Sequence, residues 1–144
     1  MKQLATLALL LFCTLFSHAQ IPAPGNILWL KADAGAYSDA GITPAVNGQT
    51  VQQWNDQSGN ANHAAQATAG LRPVFVTNVL NGQPALRFST HMLVTPSLDL
   101  TGTDKVDLYI VYKSSNLTGN WEAIAEHGPD YNTFKGFALF DNAQ

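Results

Sequence analysis

Two glutamates near the end of the sequence have the spacing of a paired-carboxylate site. Glu122 and Glu126 stand four residues apart in the segment WEAIAEHG, and a strand there would place both on one face, because strand side chains repeat every second residue. Two such carboxylates can act as nucleophile and general acid in glycoside hydrolysis when their environments separate the two pKa values. Ile124 stands between them and supplies neither charge nor hydrogen bond. We therefore expect a solvated face here and not a catalytic pair.

Metal ligation is the second chemistry that the residue types allow. The histidines outside the first 19 residues are His63, His91 and His127. They show neither an i, i+4 spacing nor a cysteine partner, so the pattern does not indicate zinc. The aspartates in segments that we interpret as loops are Asp33, Asp56, Asp99 and Asp104. Their oxygens suit calcium but lack EF-hand spacing, so the sequence predicts no cofactor and leaves calcium at Asp33, Asp56 and Asp104 as the alternative to turn capping.

Aromatic side chains are candidates for ligand binding, because an exposed ring can stack on a sugar. The rings available are Tyr37, Tyr109, Tyr112, Trp121 and Tyr131. Most aromatic residues of a β-sandwich belong to its core, and we take Tyr112, Trp121 and Tyr131 as the ligand-binding candidates. The sequence contains no Gly-x-Ser-x-Gly elbow, no P-loop and no dinucleotide-binding fingerprint.

The segment WNDQSGNANHAA, residues 54–65, combines one tryptophan with a dense group of short polar side chains. We predict a structural corner in which Trp54 buries its ring and its indole N–H finds a carbonyl. Asp56 and Ser58, with Asn60, would hydrogen-bond neighbouring backbone, while Gly59 takes positive φ. The alternative is that Asp56 and its neighbours hold calcium or contact a glycan.

The elements that must position these residues are short strands. Apolar or alternating segments of strand length are ILWLKA, VFVTNVL, QPALRF, DLYIVYK, WEAIAE and GFALF, and we expect both faces of ILWLKA and DLYIVYK to be covered. Asn47-Gly48 and Asn81-Gly82 have the composition of type I′ hairpin turns. Pro84 weakens pairing next to the second turn. About eight strands without a sustained helical period predict an all-β antiparallel sandwich.

Residues 1–19 have the features of a cleaved secretory signal peptide. Lys2 precedes an apolar run from Leu7 to Phe16 that is shorter than the roughly 20 residues of a membrane-spanning helix, and Ala19 ends a suitable cleavage site before Gln20. The only cysteine lies in this segment, so the mature chain forms no internal disulfide. Loss of Lys2 takes the formal charge from −3 to −4. We expect an exported, mildly acidic protein with no nucleic-acid partner and no membrane insertion after cleavage.

Three motifs resemble those of bacterial concanavalin A-like, laminin-G-like jelly-roll domains. They are the LWLKA strand at Leu28–Ala32, the Trp-x-Asp-x-Ser-Gly corner at Trp54–Ala64, and the Asn-Gly-x-Pro-x-x-Arg-Phe strand at Asn81–Phe88. The resemblance covers residues 27–113. After Phe88 the family usually continues Asp-Gly-x-Asp-Asp, whereas this chain has Ser-Thr-His-Met, which removes acidic side chains that would bind an ion.

The resemblance implies a domain organisation and a function. Residues 20–26 would be a short linker and residues 27–144 a β-sandwich truncated at its C-terminal end, since each sheet of the family takes strands from both halves of the sequence. The implied function is a non-enzymatic carbohydrate-binding or adhesion module of a secreted or cell-surface bacterial protein, with glycans or cell-surface polymers as partners. In related retaining β-glucanases an Asp stands between two catalytic glutamates, where this chain has Ile124. A glycoside hydrolase and a structural spacer are the alternatives.

Overall fold

A computed structural model describes residues 25–114, 122–128 and 137–141 of the chain. Contacts divide the chain into two compact units, residues 1–100 and 101–144. The elements in the described residues are β1 (Ala36–Tyr37), β2 (Gln53–Trp54), β3 (Ala64–Ala65), a 3-10 turn (Ala69–Leu71), β4 (Val74–Leu80), β5 (Gln83–Arg87), β6 (Glu122–His127) and β7 (Phe137–Asp141). All strand pairs are antiparallel and form small sheets. The regular elements of the described residues are therefore strands apart from one 3-10 turn, in agreement with the expected all-β class.

The first unit contains a three-stranded sheet in the order β1-β2-β3. Trp54 pairs with Ala36 on one side and with Ala64 on the other. Ala64 is 2% exposed and Val51 is fully buried. Each strand of this sheet is only two residues long, and small residues flank Trp54 on both sides.

The longest ladder of the first unit is the β4–β5 hairpin. Its turn residues Asn81 and Gly82 have φ angles of 51° and 77°, the positive values that a type I′ turn requires at both central positions, as expected. Pairing is interrupted between Val76 and Leu80, and Asn78 within that interval has φ 56°. Pro84 has no N–H to donate to the facing strand, which agrees with the predicted weakening beside the turn.

The Asn47-Gly48 turn differs from the expectation of a type I′ hairpin. Gly48 has a positive φ, whereas the φ of Asn47 is not positive. The N–H of Gln49 donates to the carbonyl of Val46 at 3.0 Å. Positive φ at only the third residue is the pattern of a type II turn. The turn also lies against β4, because the N–H of Gly48 donates to the carbonyl of Phe75. Contacts with β4 have overridden the local preference of the dipeptide.

The predicted first strand is reduced to two isolated bridges in the structure, one of which joins Lys31 to Ala34. Within Leu28–Ala32, Leu30 bridges Asp56, while residues 27–32 are half-buried. Several backbone groups of this segment bond to side chains of the corner instead of to a neighbouring strand. The expectation of a strand buried on both faces is therefore wrong, because side-chain partners have replaced the ladder.

Residues 107–113 do not form the strand that their alternation predicts. They carry no ladder in the described part of the chain, and the side chains of Tyr109 and Val111 are 78% and 94% exposed. Strand propensity reflects packing against neighbours and cannot replace a pairing partner. The expectation that both faces of this segment are covered is therefore wrong.

The described part of the second unit contains the antiparallel hairpin of β6 and β7. Its register skips one residue between Ala123 and Ala125, which face Phe140 and Leu139. Two residues of β6 thus correspond to one of β7, the arrangement of a β-bulge at Ile124. Among all the residues that the structure describes, no helix has the length and apolar character needed to span a membrane.

Candidate functional site

The Asp56 carboxylate is the centre of the corner formed by residues 54–65. It is only 7% exposed. Its Oδ1 accepts the backbone N–H groups of Trp29 at 2.8 Å and Ser58 at 2.9 Å. Its Oδ2 accepts the Ser58 hydroxyl at 2.7 Å and the backbone N–H of Asn62 at 3.0 Å. Because an ionised carboxylate offers about four acceptor positions, the side chain is fully used by these donors.

These contacts also set the protonation of Asp56. Burial on its own raises the pKa, but the hydrogen bonds from Ser58, Trp29 and Asn62 together outweigh it, so the pKa of Asp56 lies below its ordinary value. Asp56 is thus ionised at neutral pH. The N–H and O–H dipoles of these donors stabilise its negative charge, which is the electrostatics of a cap.

Amide side chains extend the corner towards the segment that precedes β1. The Nδ2 groups of Asn60 and Asn62 donate to the carbonyls of Asn26 and Ile27, each at 2.9 Å. The backbone N–H of Gln57 donates to the carbonyl of Trp29 at 2.7 Å. Residues 26–31, which we call the clasped segment, are therefore held by hydrogen bonds to residues 23 to 35 positions later in the chain.

Trp54 provides the apolar part of the same clasp. Its indole N–H donates to the carbonyl of Lys31 at 2.6 Å, the kind of partner that we expected. Its ring packs against a cluster of buried residues, Ala36, Ala45 and Val51. The ring thus links the clasped segment to the small core of the first unit.

Backbone conformation completes the turn within the corner. Gly59 has φ 94° and Ala61 has φ 57°. Gly59 adopts this region without steric cost, as the sequence led us to expect, whereas Ala61 carries the strain of a side chain in the left-handed region. The reversal brings Asn62 back beneath Asp56.

His63 contributes to the corner through Nδ1, which accepts the backbone N–H of Asp56 at 3.1 Å. His91 uses the same atom to accept the backbone N–H of Ser89, also at 3.1 Å. Both histidines therefore cap backbone groups, and His127 belongs to the second unit.

The acidic candidates for calcium belong to no group of metal ligands in the described residues. Across residues 25–114, 122–128 and 137–141, no group of three or more His, Cys, Asp or Glu side chains could hold a metal ion. Asp33 is paired with Lys31 at 3.5 Å, and Asp104 lies exposed in the second unit. A calcium ion at Asp56 would have to displace the donors that already occupy its oxygens.

The two glutamates of the hydrolase alternative both belong to β6. Glu122 faces Asp141 and Glu126 faces Ala138. Asp141 and Ala138 are three positions apart on β7, so the register places positions 122 and 126 on opposite faces of the ladder. The same-face expectation fails because the bulge at Ile124 adds one residue to β6, and the sequence offers no signal that would reveal it.

Of the aromatic residues that are candidates for ligand binding, the structure describes only some. Tyr112 is 56% exposed and neighbouring Tyr109 is 78% exposed, while Tyr37 is half-buried in β1. Trp121 and Tyr131 lie outside the described residues. Tyr109 and Tyr112 are thus the described rings most accessible to a ligand.

Sequence reasoning missed one polar contact that stabilises the first unit. The Oδ1 of Asn47 accepts both the backbone N–H and the hydroxyl of Thr77, at 3.0 and 3.2 Å. Asn47 and Thr77 are 30 positions apart, so no local spacing could reveal the pair.

No protein-family model, curated protein or solved structure matches this chain.

Proposed function

We propose that this chain is a non-enzymatic carbohydrate-binding or adhesion module of a secreted or cell-surface bacterial protein, built on a concanavalin A-like, laminin-G-like β-sandwich. The small antiparallel sheets support the fold part of this proposal, together with the three motifs of the resemblance. The signal-like residues 1–19 support export. Fold alone does not determine function, so the ligand-binding part needs its own support.

The observation that carries the binding function is the exposure of Tyr109 and Tyr112. An exposed tyrosine offers an apolar face for a sugar ring and a hydroxyl for its polar rim. Exposed apolar side chains accompany these rings, with Val111 at 94% and Leu108 at 49%, and contiguous exposed apolar surface marks interaction sites. The mildly acidic net charge of −3 favours neutral or basic ligands over polyanions.

Binding should be tested on the mature chain with a glycan array, followed by titration calorimetry with the best glycan. Tyr109→Ala and Tyr112→Ala should each weaken binding by about tenfold, because an aromatic contact contributes about 1 kcal/mol beyond its buried area. Ile42→Ala is the matched control, since Ile42 is 82% exposed and lies outside the segment that carries the two rings. Absence of glycan binding would favour the structural spacer.

The hydrolase alternative predicts release of reducing sugar from a β-glucan and its loss in Glu126→Gln. We expect no turnover, because the register separates positions 122 and 126 and because Ile124 supplies no hydrogen bond between them. Turnover that Glu126→Gln abolishes would replace the binding module with an enzyme.

A further inference from the structure

Two Asn-Gly dipeptides of this chain have almost the same local sequence. Residues 46–49 read VNGQ and residues 80–83 read LNGQ, and both asparagines and both glycines are exposed. Asn-Gly is the dipeptide in which the backbone nitrogen of glycine most easily attacks the preceding side-chain amide, because no side chain on the glycine obstructs the approach. From sequence and exposure alone, the two sites should react at the same rate.

The structure restrains the first site at both reacting groups. The side-chain amide of Asn47 is oriented by two hydrogen bonds that its Oδ1 accepts from Thr77. The nucleophile is also engaged, because the N–H of Gly48 donates to the carbonyl of Phe75 at 2.8 Å. Cyclisation at Asn47 therefore requires at least one of these bonds to break.

The second site has no such restraint in the described part of the chain. Neither the side chain of Asn81 nor the N–H of Gly82 makes a hydrogen bond there. The Leu80–Gln83 pair closes the turn without involving either reacting group. Asn81 also has φ 51°, in the left-handed region that asparagine adopts more readily than most residues with a side chain.

We propose that Asn81 is a site of spontaneous deamidation and that the fold protects Asn47. The backbone nitrogen of Gly82 attacks Cγ of Asn81, a new N–C bond forms, and the side-chain nitrogen leaves as ammonia with the proton that the backbone nitrogen gives up. The resulting succinimide takes up one water at either carbonyl, which yields aspartate or isoaspartate. The net reaction consumes one water and releases one ammonia, with no change in oxidation state.

The modification changes the tip of the β4–β5 hairpin. Each event adds one negative charge to an already acidic chain. The isoaspartate product also routes the backbone through the former side chain, so that residue 81 no longer offers the α-carbon geometry of a type I′ turn. The hairpin thereby acquires an age-dependent charge and shape.

The test is peptide mapping by mass spectrometry of the full chain incubated at mildly basic pH, with both sites measured in the same sample. Asn81 should deamidate about tenfold faster than Asn47 in the folded protein. Asn47 must first break a hydrogen bond before it can cyclise, and the free energy of one such bond slows the reaction by about that factor. In concentrated urea the two rates should converge. Equal rates in the folded protein, or a faster reaction at Asn47, would overturn the proposal, as would a difference that persists in urea.

Two variants assign the cause. Thr77→Val removes the hydroxyl that donates to Asn47 while keeping a β-branched strand residue, and it should raise the rate at Asn47 several-fold without affecting Asn81. An unchanged rate at Asn47 would show that this contact does not protect it. Asn81→Gln should abolish the hairpin-tip product and leave the product at Asn47 unchanged, and survival of that product would show that another residue is its source.

Discussion

Replacing Asp56 tests whether the corner is a structural clasp. Asp56→Ala removes the acceptor of four hydrogen bonds and leaves the N–H groups of Trp29, Ser58 and Asn62 without their partner. Each orphaned buried donor costs about 1–3 kcal/mol, and water that enters the space left by the carboxylate recovers part of that cost. We therefore expect the free energy of unfolding to fall by about 2–4 kcal/mol, a large share of the stability of a small domain.

A graded series makes this prediction sharper. Asp56→Asn keeps one acceptor oxygen and the shape of the side chain, so it should cost about half as much as the alanine variant. Asp33→Ala is the matched control, because the Asp33 carboxylate is 46% exposed and its ion pair with Lys31 is of the surface kind that contributes about 0–1 kcal/mol. Urea denaturation monitored by tryptophan fluorescence measures all three variants.

The pH dependence gives an independent check with a definite sign. The folded-state pKa of Asp56 is lowered, so the stability that it contributes is present above its unfolded pKa of about 3.9 and is lost as the pH falls through the lower folded value. In Asp56→Ala this acid-dependent component should be smaller than in the parent. If Asp56→Ala costs no more than Asp33→Ala, or if it leaves the melting temperature unchanged but abolishes a calcium-induced shift, the clasp interpretation is refuted.

Four further expectations follow from the same features. Trp54→Ala should destabilise the chain by about 3 kcal/mol and Trp54→Phe by about 1 kcal/mol in urea denaturation, because the second change keeps a ring but orphans the carbonyl of Lys31; equal costs would contradict a role for the indole hydrogen bond. N-terminal sequencing of the secreted protein should begin at Gln20, and an intact Met1 would refute cleavage. The exposed apolar side chains near Tyr109 should make the chain bind a hydrophobic dye or self-associate. A chain that sediments as a monomer and does not increase the fluorescence of the dye would contradict this expectation. Glu126→Gln should leave the free energy of unfolding within about 0.5 kcal/mol of the parent value, as surface substitutions usually do.

Local chemistry explains which parts of the fold could be predicted from the sequence. The Asn81-Gly82 turn and the β4–β5 hairpin depend on φ preferences and alternation within about ten residues, and both were predicted. The corner was predicted to satisfy its polar groups locally, and Ser58 does bond to Asp56. Its longer contacts, from Asp56 to Trp29 and from Asn62 to Ile27, join parts of the chain that no short pattern connects.

The predictions that failed share a physical cause. A strand is stabilised by hydrogen bonds and packing with a neighbouring strand. Residues 107–113 have the composition of a strand but form no ladder in the described residues. The bulge at Ile124 likewise depends on the register with β7, and one inserted residue reverses the face of every position beyond it. Periodicity can therefore place two carboxylates on one strand, whereas only the pairing decides whether they share a face.

The clasp also explains why so few apolar residues are buried in the first unit. Its buried cluster consists of Ala36, Ala45 and Val51, which is little surface for the hydrophobic effect at about 25 cal/mol per Å². The clasped segment is instead fixed by hydrogen bonds to Asp56, Asn60 and Asn62, whose directional geometry specifies one arrangement where a small apolar core would tolerate several. The polar density of the WNDQSGNANHAA segment is thus accounted for by the backbone groups that it satisfies, and a ligand is not needed to explain it.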